Sequence, residues 1–242
     1  MSLSKNHIKL ITSLQQKKYR QKHKLFVAEG VKVVNEFLSS AFEVEQLFAT
    51  EDFVISSEFE NTIIISETEL KKVSKLKNPN KVLGLFKIPP EVLTDNYGLI
   101  VALDAINDPG NLGTIIRLCD WFGVQKLVCS IATVDCYNQK VVQASMGSLT
   151  RLEIVYTDLA DYLKGAKRPS FIADMNGKNV YKSDLPTEAI LVMGNEANGV
   201  SAEIRDIVDA KISIPRFGKT QETESLNVAT ATAVLLSEFK RS

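Results

Sequence analysis

The sequence predicts an α/β protein in two parts: a mostly parallel sheet flanked by helices over residues 99–242, preceded by a small α/β domain over residues 1–90. Three observations carry this. From residue 99 onward, short apolar runs alternate with helical patterns, as in a parallel sheet covered on both faces. The pair Pro89-Pro90 ends an earlier strand and helix series, and residues 91–98 read as a linker. The chain has 242 residues, 45% hydrophobic and 24% charged, which suits a soluble protein that buries a core in each part, and no apolar run approaches membrane-span length.

In the first part, residues 4–19 read as a helix, with Ile8, Ile11 and Leu14 at helical spacing, running into the basic stretch KKYRQKHK at 17–24. A strand follows at 25–28. Glu29-Gly30 turns the chain into a helix carrying Val34, Phe37, Leu38 and Ala41 on one face, then come strands at 44–49 and 62–65. Ser66 and Glu69, three apart, make a capping box for a helix reaching Leu76, and residues 82–88 form the last strand.

In the second part, strands are expected at 99–105, 126–130, 153–156, 170–174, 189–193 and 211–214. Helices are expected at 114–122, 139–149, 158–165 with Asp158 as N-cap, 202–208 with Ser201 as N-cap, and 227–240.

The formal net charge is zero, but the charges are segregated. Residues 1–32 hold eight Lys or Arg against Glu29 alone, residues 33–70 hold nine acids and no Lys or Arg, and residues 71–81 bring five lysines. One face can therefore attract phosphate while the molecule stays neutral. Cys119, Cys129 and Cys136 are odd in number and lack metal-ligand spacing, the pattern of reduced thiols in a cytoplasmic protein without a metal centre. The polar, basic start, residues 1–9, is not a secretory signal.

Three segments share one grammar, an apolar strand opening into a polar loop and closing on a helix start, where parallel sheets place ligands. The first, DPGNLGTIIR at 108–117, lacks the glycine spacing and distant acid of a dinucleotide fingerprint, which argues against a nicotinamide oxidoreductase. Gly110 and Gly113 flank Asn111 on what reads as a tight turn, and Arg117 is the one charge among Ile115, Ile116, Leu118 and Cys119. That Arg either snorkels from a surface helix or points into a site. In the second, LVMGNEANGVS at 191–201, the strand ends at Gly194, which would let a ligand approach the backbone, and Glu196 follows at the sheet edge. In the third, Pro215 stops the strand ISIP, and Ser225, Leu226 and Asn227 stand at a helix start, as plain caps or as site groups.

Taken in order, these three motifs resemble the signatures of the SpoU (TrmH) class of SPOUT RNA ribose 2′-O-methyltransferases. The N-terminal stretch KKYRQKHKLFVAEGVKVV looks like the substrate-binding domain that precedes the catalytic domain in many members. The resemblance implies methyl transfer from S-adenosylmethionine to a ribose 2′-hydroxyl of rRNA, less so of tRNA, in a homodimer whose catalytic domain is threaded into a trefoil knot. It implies catalytic roles for Asn111, Arg117, Glu196, Ser225 and Asn227, with Arg117 implicated in activating the hydroxyl. Met193, Gly194, Ile214 and Leu226 are implied as cofactor-binding. No metal is called for, since the sulfonium is already electrophilic and the protein's task is alignment and proton removal. The pKa of Arg makes it a poor base, so Arg117 can instead hold a phosphate or orient the hydroxyl, with Glu196 and Asn227 fixing its geometry.

Two departures from the family pattern stand out: the loop 216–224 is longer than in many relatives, and Ala229 stands where a Ser often follows Asn-Val. Lys17, Lys18, Tyr19, Arg20, Lys22 and Lys24 are the expected RNA-binding patch, five cations around one stacking ring. The competing reading is a non-catalytic RNA-binding or ribosome-assembly protein on the same fold, against which all five catalytic-type residues stand together.

Overall fold

The computed structural model describes residues 3–53, 62–90, 98–218, 220 and 225–241. Most of the expected linker, and residues 219 and 221–224 of the long loop, lie outside them. The chain divides into two compact units: Met1–Glu91 together with Asp135–Thr150, and Val92–Val134 together with Arg151–Ser242.

The first unit is built on a four-stranded sheet of β1 (Leu25–Glu29), β2 (Val44–Ala49), β3 (Thr62–Ile64) and β4 (Val82–Lys87), in the order β1-β4-β2-β3. β4 runs antiparallel to both β1 and β2, while β2 and β3 are parallel. Its helices are α1 (Lys5–Ser13), α2 (Lys17–His23), α3 (Val31–Leu38), α4 (Glu67–Val73) and α6 (Gln139–Ser145). The capping box at Ser66 and Glu69 forms as its spacing predicts. On one side of the sheet Phe26, Phe37, Phe42 and Phe86 interlock at centroid distances of 5.0–5.8 Å, and Tyr137, from the later segment, closes on Phe26 at 4.9 Å.

The helix expected over 4–19 is two helices. α1 ends at Ser13 and the backbone at Gln16 is extended, so the basic run becomes a helix of its own. Arg20 makes this break stable. It is 2% exposed, and its Nη1 donates to the carbonyls of Leu14 (2.8 Å) and Gln15 (3.0 Å), while its Nε donates to Asp135 Oδ2 (2.8 Å). Carbonyls released where a helix ends need donors, and a buried guanidinium needs a carboxylate; each answers the other. Glu29, also buried, accepts from Ser74, from Gln139 and from the N–H of Lys75 at 3.1 Å. Sequence spacing carries no sign of either cluster, because Asp135 and Gln139 lie more than a hundred residues from their partners.

The second unit holds a six-stranded sheet, entirely parallel: β5 (Ile100–Asp104), β6 (Lys126–Ser130), β7 (Glu153–Thr157), β8 (Ser170–Asn179), β9 (Ile190–Gly194) and β10 (Ala210–Ser213), in the order β10-β8-β9-β5-β6-β7. The continuous apolar runs ILVMG and IVALD are buried, as strands covered on both faces require. Helices α5 (Pro109–Trp121), α7 (Leu159–Gly165), α8 (Ala202–Ile207) and α9 (Val228–Phe239) flank it, and α5 packs against α9. β8 is five residues longer than the sequence predicts, because Lys178 and Asn179 pair with β10 beyond a register shift at Lys211/Ile212.

Candidate active site

β8, β9 and β10 open onto a cleft of about 730 Å³ lined by Met193, Gly194, Glu196, Ile214, Ser225 and Leu226, among others. Six of the residues singled out from the sequence thus share one cavity, of a size that suits a small-molecule site. Its wall is part apolar, from Ile212, Ile214, Leu226, Val228 and Leu235, and part acidic, from Asp174 and Glu196. The Asp174 carboxyl is held below the usual carboxylate range, first by the N–H of Asn176 and then by Arg205, with which it pairs. Among the described residues no group of three or more His, Cys, Asp and Glu is arranged to hold a metal ion.

Asn111 does not sit on a tight turn. α5 starts at Pro109, five residues before the expected helix, because Asp108 caps it, its Oδ1 accepting the Asn111 N–H at 2.8 Å with Pro109 in the first helical position. That places the Asn111 side chain in the first turn. Its Nδ2 donates to Glu196 Oε1 at 2.9 Å, and its Oδ1 accepts from Asn227 Nδ2 at 2.9 Å. Asn227 is both cap and site group: its Oδ1 accepts the N–H groups of Ala229 (3.0 Å) and Thr230 (3.2 Å) at the start of α9. A carboxylate only accepts and the backbone N–H groups at the helix start only donate, so both amides have a single orientation compatible with all four bonds. Three motifs, at the starts of α5 and α9 and in the hairpin after β9, are locked into one hydrogen-bonded line.

Arg117 is elsewhere. It is exposed on α5, outside the lining of the cleft, and no hydrogen bond joins it to Glu196 or Asn227 among the described residues. The expectation that those two residues fix its geometry is therefore not met; they fix Asn111. Gly110, Thr114, Arg117 and Trp121 recur at helical spacing along one exposed stripe, and Trp121 is 85% exposed.

Gly194 also has a different reason from the one expected. A Cβ there would lie 2.3 Å from the backbone of Gly199 and Val200, so glycine is required by the chain's own hairpin folding back over it. That hairpin turns on Asn195, which is not among the candidate site residues of the sequence. Its Oδ1 accepts the N–H groups of Ala197 and Asn198, and its Nδ2 donates to the carbonyl of Ala105 at 2.8 Å. Ala105 has φ +56°, a conformation unfavourable for a side chain, held from the other side by Ser130 Oγ accepting its N–H. The signal available beforehand was the Asn itself, whose amide closes turns readily. Ser201 stands at the N-cap of α8 but makes no side-chain cap; its N–H donates to Asp104 Oδ2 at 2.8 Å.

In the first unit, Lys17, Lys18, Lys22 and Lys24 are exposed and Tyr19 half-buried, with the Lys18 ammonium 4.9 Å above the Tyr19 ring. Arg20 departs from the expected patch: it is spent inside the fold on Asp135.

Residues 98–237, from just before β5 to near the end of α9, match the SpoU rRNA Methylase family. The chain belongs to that family. Residues 5–84 match the MRM3-like substrate binding domain. Over 234 residues, 94% of this chain and 93% of the relative, it is 30% identical to the 23S rRNA (guanosine(2553)-2′-O)-methyltransferase RlmP of Bacillus subtilis. A structure from Porphyromonas gingivalis assigned to the TrmH family of RNA methyltransferases superposes with a TM-score of 0.90 at 36% identity, covering 99% of this chain and 98% of that one. An AdoMet-bound rRNA methyltransferase from Sinorhizobium meliloti superposes with a TM-score of 0.87 at 28% identity, covering 100% and 97%.

Proposed function

We propose that this protein transfers the methyl group of S-adenosylmethionine to a ribose 2′-hydroxyl of ribosomal RNA. The observation that carries the proposal is the Asn227–Asn111–Glu196 line at the mouth of a cleft walled by Ile214 and Leu226, in a chain of the SpoU family. The residues suit the methyl donor: an apolar wall for a purine and, beside the Asp174–Arg205 pair, the Glu196 carboxylate for a ligand that carries positive charge on sulfur and on its amino group. When bound, that ligand supplies a methyl on a positively charged sulfur, an electrophile that needs no further activation. Met193, Gly194, Ile214 and Leu226 would hold it.

What remains for the chain is to place the hydroxyl and to help its proton leave as the oxygen takes the methyl. Glu196, which lines the cleft, is held by the Asn111 amide through one of its two carboxylate oxygens. Ser225, exposed in the lining of the same cleft, supplies a hydroxyl that donates or accepts. Arg117 serves as a cation, orienting a phosphate or the hydroxyl. Its place on an exposed stripe with Trp121 supports the homodimer: a second copy laid on that face removes Trp121 from water and brings Arg117 to a neighbouring site. The trefoil knot of the catalytic domain and a cytoplasmic location belong to the same proposal and rest on family membership.

Ribosomal rather than transfer RNA is favoured by the relatives named for 23S rRNA, and the basic surface of α2 would grip its backbone. The non-catalytic alternative is disfavoured by the intact line of three side chains. Calorimetry with S-adenosylmethionine, followed by transfer of labelled methyl to rRNA from a strain lacking the gene, tests the proposal; binding with no transfer to any RNA supports the alternative.

A further inference from the structure

Just past β10, beside the cleft, Phe217 is presented almost entirely to solvent, 82% exposed. Phe217 is not alone. Tyr181, from the short turn that follows β8, stacks against it with ring centroids 6.5 Å apart and planes 29° from parallel, and is itself 38% exposed. Arg216 and Phe217 both line the cleft, and the Arg216 Nη2 lies 3.0 Å from the sulfur of Met175, another exposed cleft residue. The segment bearing Tyr181 also carries exposed Lys178 and Lys182; the acid nearest in sequence, Asp184, lies beyond them, and Asp174 is already paired with Arg205. Aromatic faces interleaved with cations are the surface that single-stranded RNA uses, its bases stacking on rings and its phosphates meeting the charges.

We propose that Phe217 and Tyr181 form a stacking platform for an unpaired nucleobase of the acceptor RNA strand at the rim of the cleft. This rests on the methyl-transfer reading above and deepens it: the substrate at this rim is a splayed, single-stranded nucleotide rather than a duplex. A sugar whose 2′-hydroxyl reaches the cleft carries its own base and its neighbours' bases within a few ångströms, so a ring at the rim is where a base must lie. An exposed aromatic pair is costly to leave in water without a partner, and continuity with the cleft assigns the partner. Phe217 and Tyr181 act as specificity-determining residues.

Steady-state methyl transfer to rRNA from a strain lacking the gene tests this with Tyr181→Leu, Phe217→Leu, Phe217→Trp and Tyr181→Phe. Tyr181 does not line the cleft, so a change there reports on RNA without touching the small-molecule site. Each Leu variant should raise KM for RNA about ten-fold, the scale of one base stacked on one ring. Phe217→Trp and Tyr181→Phe should restore it, and KM for S-adenosylmethionine in Tyr181→Leu should stay at the wild-type value. Unchanged KM for RNA in both Leu variants overturns the platform, as does a rise that aromatic replacement does not restore. A smaller particle in sedimentation velocity for Phe217→Leu also overturns it, by assigning the rings to a second copy of the chain. Absence of transfer by the wild-type protein would instead remove the methyl-transfer reading itself.

Discussion

Asn111 and Glu196 are 85 residues apart in sequence, yet the Asn111 amide donates to the Glu196 carboxylate at 2.9 Å while accepting from Asn227 on its other side. The bond lets Asn111 meet both neighbours at once: its amide N–H donates to the acid while its amide oxygen accepts from the other amide. Asn111→Asp sets two carboxylates against each other and removes the donor. kcat/KM for methyl transfer should fall about 10- to 100-fold, while the urea midpoint moves little because Asn111 is only half-buried and both its partners are exposed. A variant with wild-type kcat/KM would show that this line of side chains has no catalytic part.

The basic helix separates into two kinds of residue. Removing one partner of the buried pair, Arg20→Ala or Asp135→Ala, should cost about 3–5 kcal/mol in urea denaturation, since the other charge is left buried. Replacing exposed Lys18 and Lys22 by Ala should leave stability within about 0.5 kcal/mol and lower the salt slope of RNA binding by about one per lysine that meets a phosphate.

Trp121 offers a test of association. Trp121→Glu places a charge on the exposed stripe it shares with Arg117. Sedimentation should then report half the wild-type mass, and a wild-type value that is already monomeric would remove the dimer from the account.

Asp209 accepts the N–H and the hydroxyl of Ser170 at 2.7 and 2.8 Å, which holds its carboxyl below the ordinary value; Asp174 is held low in the same sense. Each binds protons more weakly in the folded chain than in the unfolded one. The stability they contribute is whole above the ordinary carboxylate pKa of about 4 and is lost as the pH falls through their lower folded values. Asp209→Asn should flatten the acid limb of stability against pH and leave the neutral-to-basic limb parallel to wild type.

The alternation of apolar runs and helical patterns made the strands of both units legible to within a few residues, and β2 and β6 coincide with their expected bounds. What escaped was governed by distant contacts. Arg20 reads as one more surface cation until Asp135 meets it, and α5 hides its first turn behind Pro109 and two glycines that read as a loop. At the site, residue types and order point to Glu196 and Asn227, but not to Asn195 as the hinge of the turn that carries Glu196, nor to the outward direction of Arg117, which helix phase sets. Gly194 shows the limit of reading a glycine as room for a ligand, since its own hairpin fills the space.

The central claim is met most directly by mapping 2′-O-methylation across the ribosomal and transfer RNAs of a strain lacking this gene, complemented with wild-type protein or with Arg117→Ala. The account predicts that one ribose methyl of ribosomal RNA disappears on deletion, returns with the wild-type protein, and stays absent with Arg117→Ala although that variant binds S-adenosylmethionine as wild type does. An unchanged ribosomal methylation map, or full restoration by Arg117→Ala, would contradict it.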